Sequence, residues 1–217
     1  MSKKIYNLDD LSILLDEEIS WRRKELSIIK NYIPFESNPK QNAALRFNVP
    51  ILYAHFEGFV KQATEMYLNY VACKTLKHSE LQSQFVTLSL TKKLGLLEIK
   101  NIEDKTKIID FILNENDSRS NILTKNVIQT KSNLKFNVLK EVLFTIGIEV
   151  SKFENYKQLV NDLVEARNFI AHGDYLKIDY KTYINMFDDI QKLMIELKIE
   201  IENSALLENY KIKKSEE

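Results

Sequence analysis

The sequence predicts an all-α protein, a bundle of long helices with one polar, basic excursion between them. Two observations carry this. Only four of the 217 residues are Gly and three are Pro, so the punctuation that many short strands and turns require is scarce. Apolar residues also recur three and four apart through long stretches, with charge between them, which is the period of a helix buried on one face. Hydrophobic residues make up 44% of the chain, enough for a sizeable core, and the length suits one large domain or two small ones.

Taken in order, Asn7 or Asp9 is placed to cap a first helix running to about Tyr32, with Leu8, Leu11, Leu15, Ile19, Leu26 and Ile29 along its stripe. Trp21-Arg22-Arg23-Lys24 falls mid-helix and reads as a solvated face on which an arginine stem lies over apolar surface. The two prolines of Ile33 to Pro39 make that stretch a loop. A second long helix is predicted from about Gln41 to Thr75, nearly all apolar from Ile51 to Val60, and Pro50 should kink or restart it. His55 and Glu57 lie about 200° apart on an ideal helix, so they face different partners. His55 reads as a satisfied core histidine. Glu57 reads as a carboxylate that needs a cationic or hydrogen-bonding partner, and so as a candidate for orienting an arginine or histidine from another helix.

Ser79 opens a third helix to about Glu98, and a short helix follows over Asp104 to Leu113. Asn114 to Asn133, rich in Asn, Ser and Thr, is the excursion. Asn133 is placed to cap the next helix, which ends near Gly147. A helix from about Tyr156 to His172 turns Leu159, Leu163, Ala166 and Ile170 inward, and Gly173 suits a left-handed cap after it. The last helix spans about Lys181 to Glu208.

Formal net charge is zero, so bulk charge selects no partner, and a nucleic-acid surface must come from local clustering. From Ser118 to Lys140 there is no acidic residue, while Arg119, Lys125, Lys131, Lys135 and Lys140 all fall there. Such a run could follow a phosphate backbone, which asks for cations rather than base-reading groups; the alternative is a solvated loop. Cys73 is the single cysteine, which excludes an intramolecular disulfide and a cysteine metal cluster. No metal or other cofactor is expected, because no set of His, Cys and carboxylates has ligand spacing. The chain begins Met1-Ser2-Lys3-Lys4 and no apolar run approaches about 18 residues, so a cytoplasmic protein with no membrane partner is expected.

The stretch Arg167-Asn168-Phe169-Ile170-Ala171-His172, followed by Gly173, is the strongest chemical signal. A guanidinium is always charged and grips phosphate with a planar fork. Imidazole is the group that exchanges protons near neutral pH. That pair suffices to cleave RNA without a metal, since RNA carries its own nucleophile in the 2′-hydroxyl: one base, one acid and one cation complete the chemistry. Arg167 and His172 fall about 140° apart on an ideal helix, whereas Asn168 and His172 share a face. A site using all three needs the helix end to loosen, or two copies to meet, as a two-fold contact would arrange. The plainer alternative is a helix-terminal histidine favoured by the helix dipole, beside a surface arginine. No glycine-rich phosphate loop, nucleophile elbow or zinc signature occurs.

These residues resemble the arginine-(four to six residues)-histidine motif of the HEPN superfamily. Several segments also resemble its MAE-like branch of bacterial nucleases. They are Leu15-Asp16-Glu17-Glu18 with Trp21 to Leu26, Leu52-Tyr53-Ala54-His55-Phe56-Glu57-Gly58-Phe59-Val60, Asn133-Leu134 through Val138-Leu139, and Leu163 to Gly173. The likeness covers about Leu8 to Asn203. It implies a single HEPN-like helical bundle over residues 1–217, with its core at about 8–203 and a tail at 204–217. It implies Arg167 and His172 as catalytic residues, Asn168 and Glu57 as supporting ones, and a homodimer with the paired motifs in one cleft. The implied activity is a metal-independent endoribonuclease of toxin or anti-phage type, acting on RNA, with an antitoxin or neighbouring defence protein as a further partner. Arg119, Lys125, Lys131 and Lys135 are the candidate RNA-binding residues. The alternative is a non-catalytic RNA- or nucleotide-binding module that scaffolds a defence complex. Some toxin relatives carry a modified tyrosine two residues after the histidine; here that position is Asp174 and the tyrosine is Tyr175, a departure that argues against such regulation.

Overall fold

The computed structural model describes residues 4–94, 102–114, 116–125, 127, 128, 130 and 133–213. Among these residues there are seven α-helices and no strand: α1 (Leu8–Asn31), α2 (Pro39–Cys73), α3 (Ser83–Leu94), α4 (Ile102–Asn114), α5 (Phe136–Thr145), α6 (Lys157–Ala171) and α7 (Tyr180–Leu206). The all-α bundle expected from the sequence is what forms. None of these helices is long and apolar enough to cross a membrane.

Helix α2 is the axis, packing against α1, α6 and α7. Its 35 residues reach about 50 Å at 1.5 Å each. It can serve every neighbour because apolar side chains emerge on most of its faces: Leu45, Leu52, Phe56, Phe59, Val60, Ala63, Tyr67 and Leu68 are all fully buried. Helices α1 and α7 present one stripe each, Leu11, Leu15, Ile19 and Leu26 from the first and Phe187, Ile190, Met194, Leu197 and Ile201 from the second.

The ends follow capping chemistry. Asn7 rather than Asp9 caps α1, its side chain accepting from the Asp10 N–H, and Asp179 caps α7 through the Thr182 N–H. Pro39, expected in the loop, is instead the first residue of α2, with Asn38 as its cap; proline at that position has no hydrogen bond to lose. Pro50 does not restart the helix. Two residues earlier, Asn48 donates its amide to the Ala44 carbonyl at 2.8 Å and accepts from the Tyr183 hydroxyl at 3.3 Å, which ties α7 across the turn that proline weakens.

Four further expectations are corrected. The third helix begins as a short 3₁₀ turn, His78–Glu80, before α3; its expected end near Glu98 lies outside the described residues. Asn133 does not cap α5: Lys135 holds that position without a side-chain bond, and Asn161 of α6 accepts the Phe136 N–H at 3.0 Å instead. The run at Trp21 to Lys24 is not simply a solvated face, because Arg22 is only 7% exposed. Nor does the chain leave the body at 204. Ser204 is buried against the Tyr67 hydroxyl at 2.8 Å, Tyr210 is buried, and its carbonyl accepts from the Gln82 N–H at 2.9 Å. Among the described residues, the excursion from 116 to 135 forms no α-helix.

Candidate active site

The motif lies at the carboxyl end of α6. The helix stays regular to its last residue, and His172 is its cap with φ −82° and ψ 0°. Gly173 follows at φ +88°, where an L side chain is strained. Its N–H bonds the Ile170 carbonyl at 3.1 Å and the Asp174 N–H bonds the Phe169 carbonyl at 3.0 Å. This pair of bonds satisfies the last carbonyls of a helix when a left-handed residue ends it. The helix therefore does not loosen before His172, and Arg167 and His172 project from different faces, about 7.5 Å apart along the axis.

Arg167 turns toward α2. It is half-buried, and its guanidinium carbon lies 4.1 Å from the centroid of the Tyr53 ring, a cation–π contact. Tyr53 is 4% exposed. Its hydroxyl accepts the Leu134 backbone N–H at 2.8 Å. Burial pushes the Tyr53 phenol above its ordinary range; the Leu134 bond opposes this, the Glu57 charge adds to it, and the neighbouring Arg167 guanidinium opposes it again. The phenol thus stays protonated, a neutral platform under the cation.

Glu57 stands one helical turn along α2 from Tyr53. Its buried Oε1 accepts no hydrogen bond among the described residues. Its charge reaches Tyr53, so it belongs to this surface. His172 faces outward and is exposed. Asn168, half-buried, precedes it by one turn on the same face, and Phe169 beside them is 53% exposed. His55 is on the other side of α2, as the helical angle requires: its Nε2 lies 3.5 Å from a Glu25 oxygen and its ring 5.3 Å from Trp21.

The basic residues of the excursion are strung along α2 rather than gathered at the motif. Lys135 neighbours Leu134 and hence Tyr53. Lys125 lines a cavity with Gln62, Met66 and Asn69, about 15–25 Å further along the helix. Arg119 donates to the Thr75 carbonyl at 3.1 Å, beyond the far end of α2. Lys131 lies outside the described residues. No group of three or more His, Cys, Asp and Glu is placed to hold a metal among the described residues.

Two contributors were not singled out from the sequence. Tyr53 was visible only as part of a longer segment, and its pairing with Arg167 depends on how α2 meets α6. Arg46 donates to the Asp174 carbonyl at 2.9 Å and lies 5.4 Å from the Tyr175 ring centroid, holding the segment that follows His172. The only sequence signal for either was an aromatic or a cation in an apolar helix.

A family model described as RiboL-PSP-HEPN matches residues 17–203. Among curated proteins and solved structures nothing matches. The chain belongs to the RiboL-PSP-HEPN family, which bears out the HEPN resemblance; the match does not extend to the MAE-like branch.

Proposed function

We propose that this member of the RiboL-PSP-HEPN family is a metal-independent endoribonuclease whose working site is shared by two copies. The observation that carries the reading is the divergence of Arg167 and His172 at the end of a helix that stays regular to its cap. One chain alone holds the phosphate-binding cation and the proton-transfer group on different faces. A two-fold contact across the face of Asn168, Phe169 and His172 would bring two imidazoles together, with an Arg167 on either side. One imidazole takes the 2′-hydroxyl proton while that oxygen attacks the adjacent phosphorus. The other gives its proton to the departing 5′-oxygen, leaving a 2′,3′-cyclic phosphate. The guanidinium neutralises the charge that builds on the phosphoryl oxygens.

A proton-transfer group of this kind contributes about 10²–10⁴-fold, so His172→Ala should remove cleavage measured in EDTA, with the cyclic ends lost together with the products. Use as a toxin or in anti-phage defence, restrained by an antitoxin or neighbouring protein, is part of the same proposal and is supported by the resemblance of the motif. A second reading rests on a specific feature: the His172 ring has no orienting carboxylate among the described residues. That feature favours a module that binds RNA or a nucleotide without cutting it. RNA binding by the native protein with no cleavage in the same assay would select this reading.

A further inference from the structure

The segment that follows His172 leads to a second concave surface. A cavity of about 400 Å³ lies between the turn joining α1 to α2 and residues 177–180. Phe35, Gln41, Asn42, Lys177 and Tyr180 stand in its wall, together with Asp179, whose carboxylate is engaged in capping α7. Lys177 is five residues past His172, at most about 18 Å of extended chain. The Phe35 ring is 88% exposed and stands 6.2 Å from the Tyr180 ring at 53°. It does not serve the core.

The turn that presents Phe35 is held from within. Gln41, only 5% exposed, donates both amide hydrogens, one to the Pro34 carbonyl at 2.8 Å and one to the Phe35 carbonyl at 3.1 Å. Its Oε1 and the Asn42 side-chain amide make no hydrogen bond among the described residues, and both residues stand in the cavity wall. Between this cavity and His172 lies Tyr175, 72% exposed, with Arg46 over its ring. Exposed rings thus alternate with cations along one path from the motif. Rings that accept a base face and cations that meet phosphate are the two components of single-strand recognition.

We propose that this cavity is a base-binding subsite for single-stranded RNA, with an unstacked base lying on Phe35 beside Tyr180 and Lys177 meeting the backbone. The proposal rests on the RNA reading above and gives it a place where the strand is held next to the cut.

The test is fluorescence anisotropy of the full-length native protein with a labelled, 2′-O-methylated single-stranded oligonucleotide, which lacks the nucleophile and stays intact. Phe35→Ala should weaken binding about 5- to 100-fold, as loss of one stacking ring does, while Phe35→Trp restores it. The exposure of Phe35 means that neither change should move the melting temperature. Undiminished binding by Phe35→Ala would overturn the subsite and leave the RNA reading standing. No binding by the native protein would overturn both. Conversion of a dimer to a monomer by Phe35→Ala, seen in light scattering, would also overturn the subsite and assign these rings to contact with a second copy.

Discussion

Gly58 sits in the middle of α2, where alanine is ordinarily the better residue by about 0.5–1 kcal/mol. The structure reverses that expectation. A Cβ on Gly58 would lie 2.7 Å from Nη1 and 2.9 Å from Nη2 of Arg22, closer than any real contact. Arg22 is the far end of a flexible chain and could move in open solvent, but here it is buried between α1 and α2. Its Nε donates to Glu18 at 2.9 Å and its Nη1 to the His55 carbonyl at 3.3 Å. The Arg22 and Glu18 side chains are 9% and 15% exposed, so little water waits to replace what is lost. Displacing the guanidinium forfeits at least one bond to a charged group, about 1.5–3 kcal/mol. The loss exceeds the helix gain, and Gly58→Ala should destabilise by about 1–2 kcal/mol, or about 2–8 °C in Tm for a chain of this size. In an Arg22→Met background the clash is gone, and the same substitution should stabilise by about 0.5–1 kcal/mol. Urea denaturation of the four proteins closes the cycle, with an expected coupling of about 1.5–3 kcal/mol. Additive effects, or stabilisation by Gly58→Ala in the native background, would refute the account of Arg22 as a charge fitted against a bare backbone.

Two other perturbations test the α1–α2 contact and the turn that ends the motif. Burial depresses the His55 pKa below its ordinary 6.5, against the opposing pull of Glu25. The folded state therefore binds fewer protons than the unfolded one as pH falls through 6.5. Stability is full above that pH and declines on acidification until the folded-state value is passed. His55→Gln should flatten the fall of Tm between pH 7 and pH 5, and an unchanged slope would count against this. At Gly173 an added Cβ meets nothing within 4 Å, so Gly173→Ala carries only the left-handed backbone cost, about 1–2 kcal/mol. Gly173→Asn should cost less, and thermal melts that rank the two the other way would show that the cap does not control this turn.

The helices were legible because each announces itself locally. The Asn7 cap of α1, the stripe of α7 and the glycine after His172 are all read within a few residues of the features they fix. The misread positions depend on distant chain. Pro39 and Pro50 break helices in isolation, yet one is a helix start, where no donor is missed, and the other lies beside the Asn48–Tyr183 bond that ties α2 to α7. Arg22 looks like a surface charge because the glycine that makes room for it lies on another helix. The last residues were expected to trail away because nothing near Tyr210 reveals that its partners are Tyr70, with ring centroids 6.1 Å apart, and the turn at Gln82.

The motif itself was legible as chemistry, but its setting was not, and Tyr53 is the reason. A phenol binds in two ways: the hydroxyl accepts the Leu134 N–H and the ring face meets Arg167. One side chain of α2 therefore ties the return of the excursion to the catalytic candidate on α6. Phenylalanine would leave a buried N–H unpaired, and leucine would remove the platform as well. The consequence is a different set of cations from the one the charge run suggested. Nearness in sequence put Arg119, Lys125 and Lys135 together, whereas the fold keeps only Lys135 beside Tyr53 and sends Arg119 to the opposite end of α2. Nearer the motif are Arg46, bound to the chain just past His172, and Lys177 at the cavity beyond it. A strand cut at His172 would pass these side chains first, so charge reversal at Arg46 or Lys177 should weaken RNA binding more than charge reversal at Arg119.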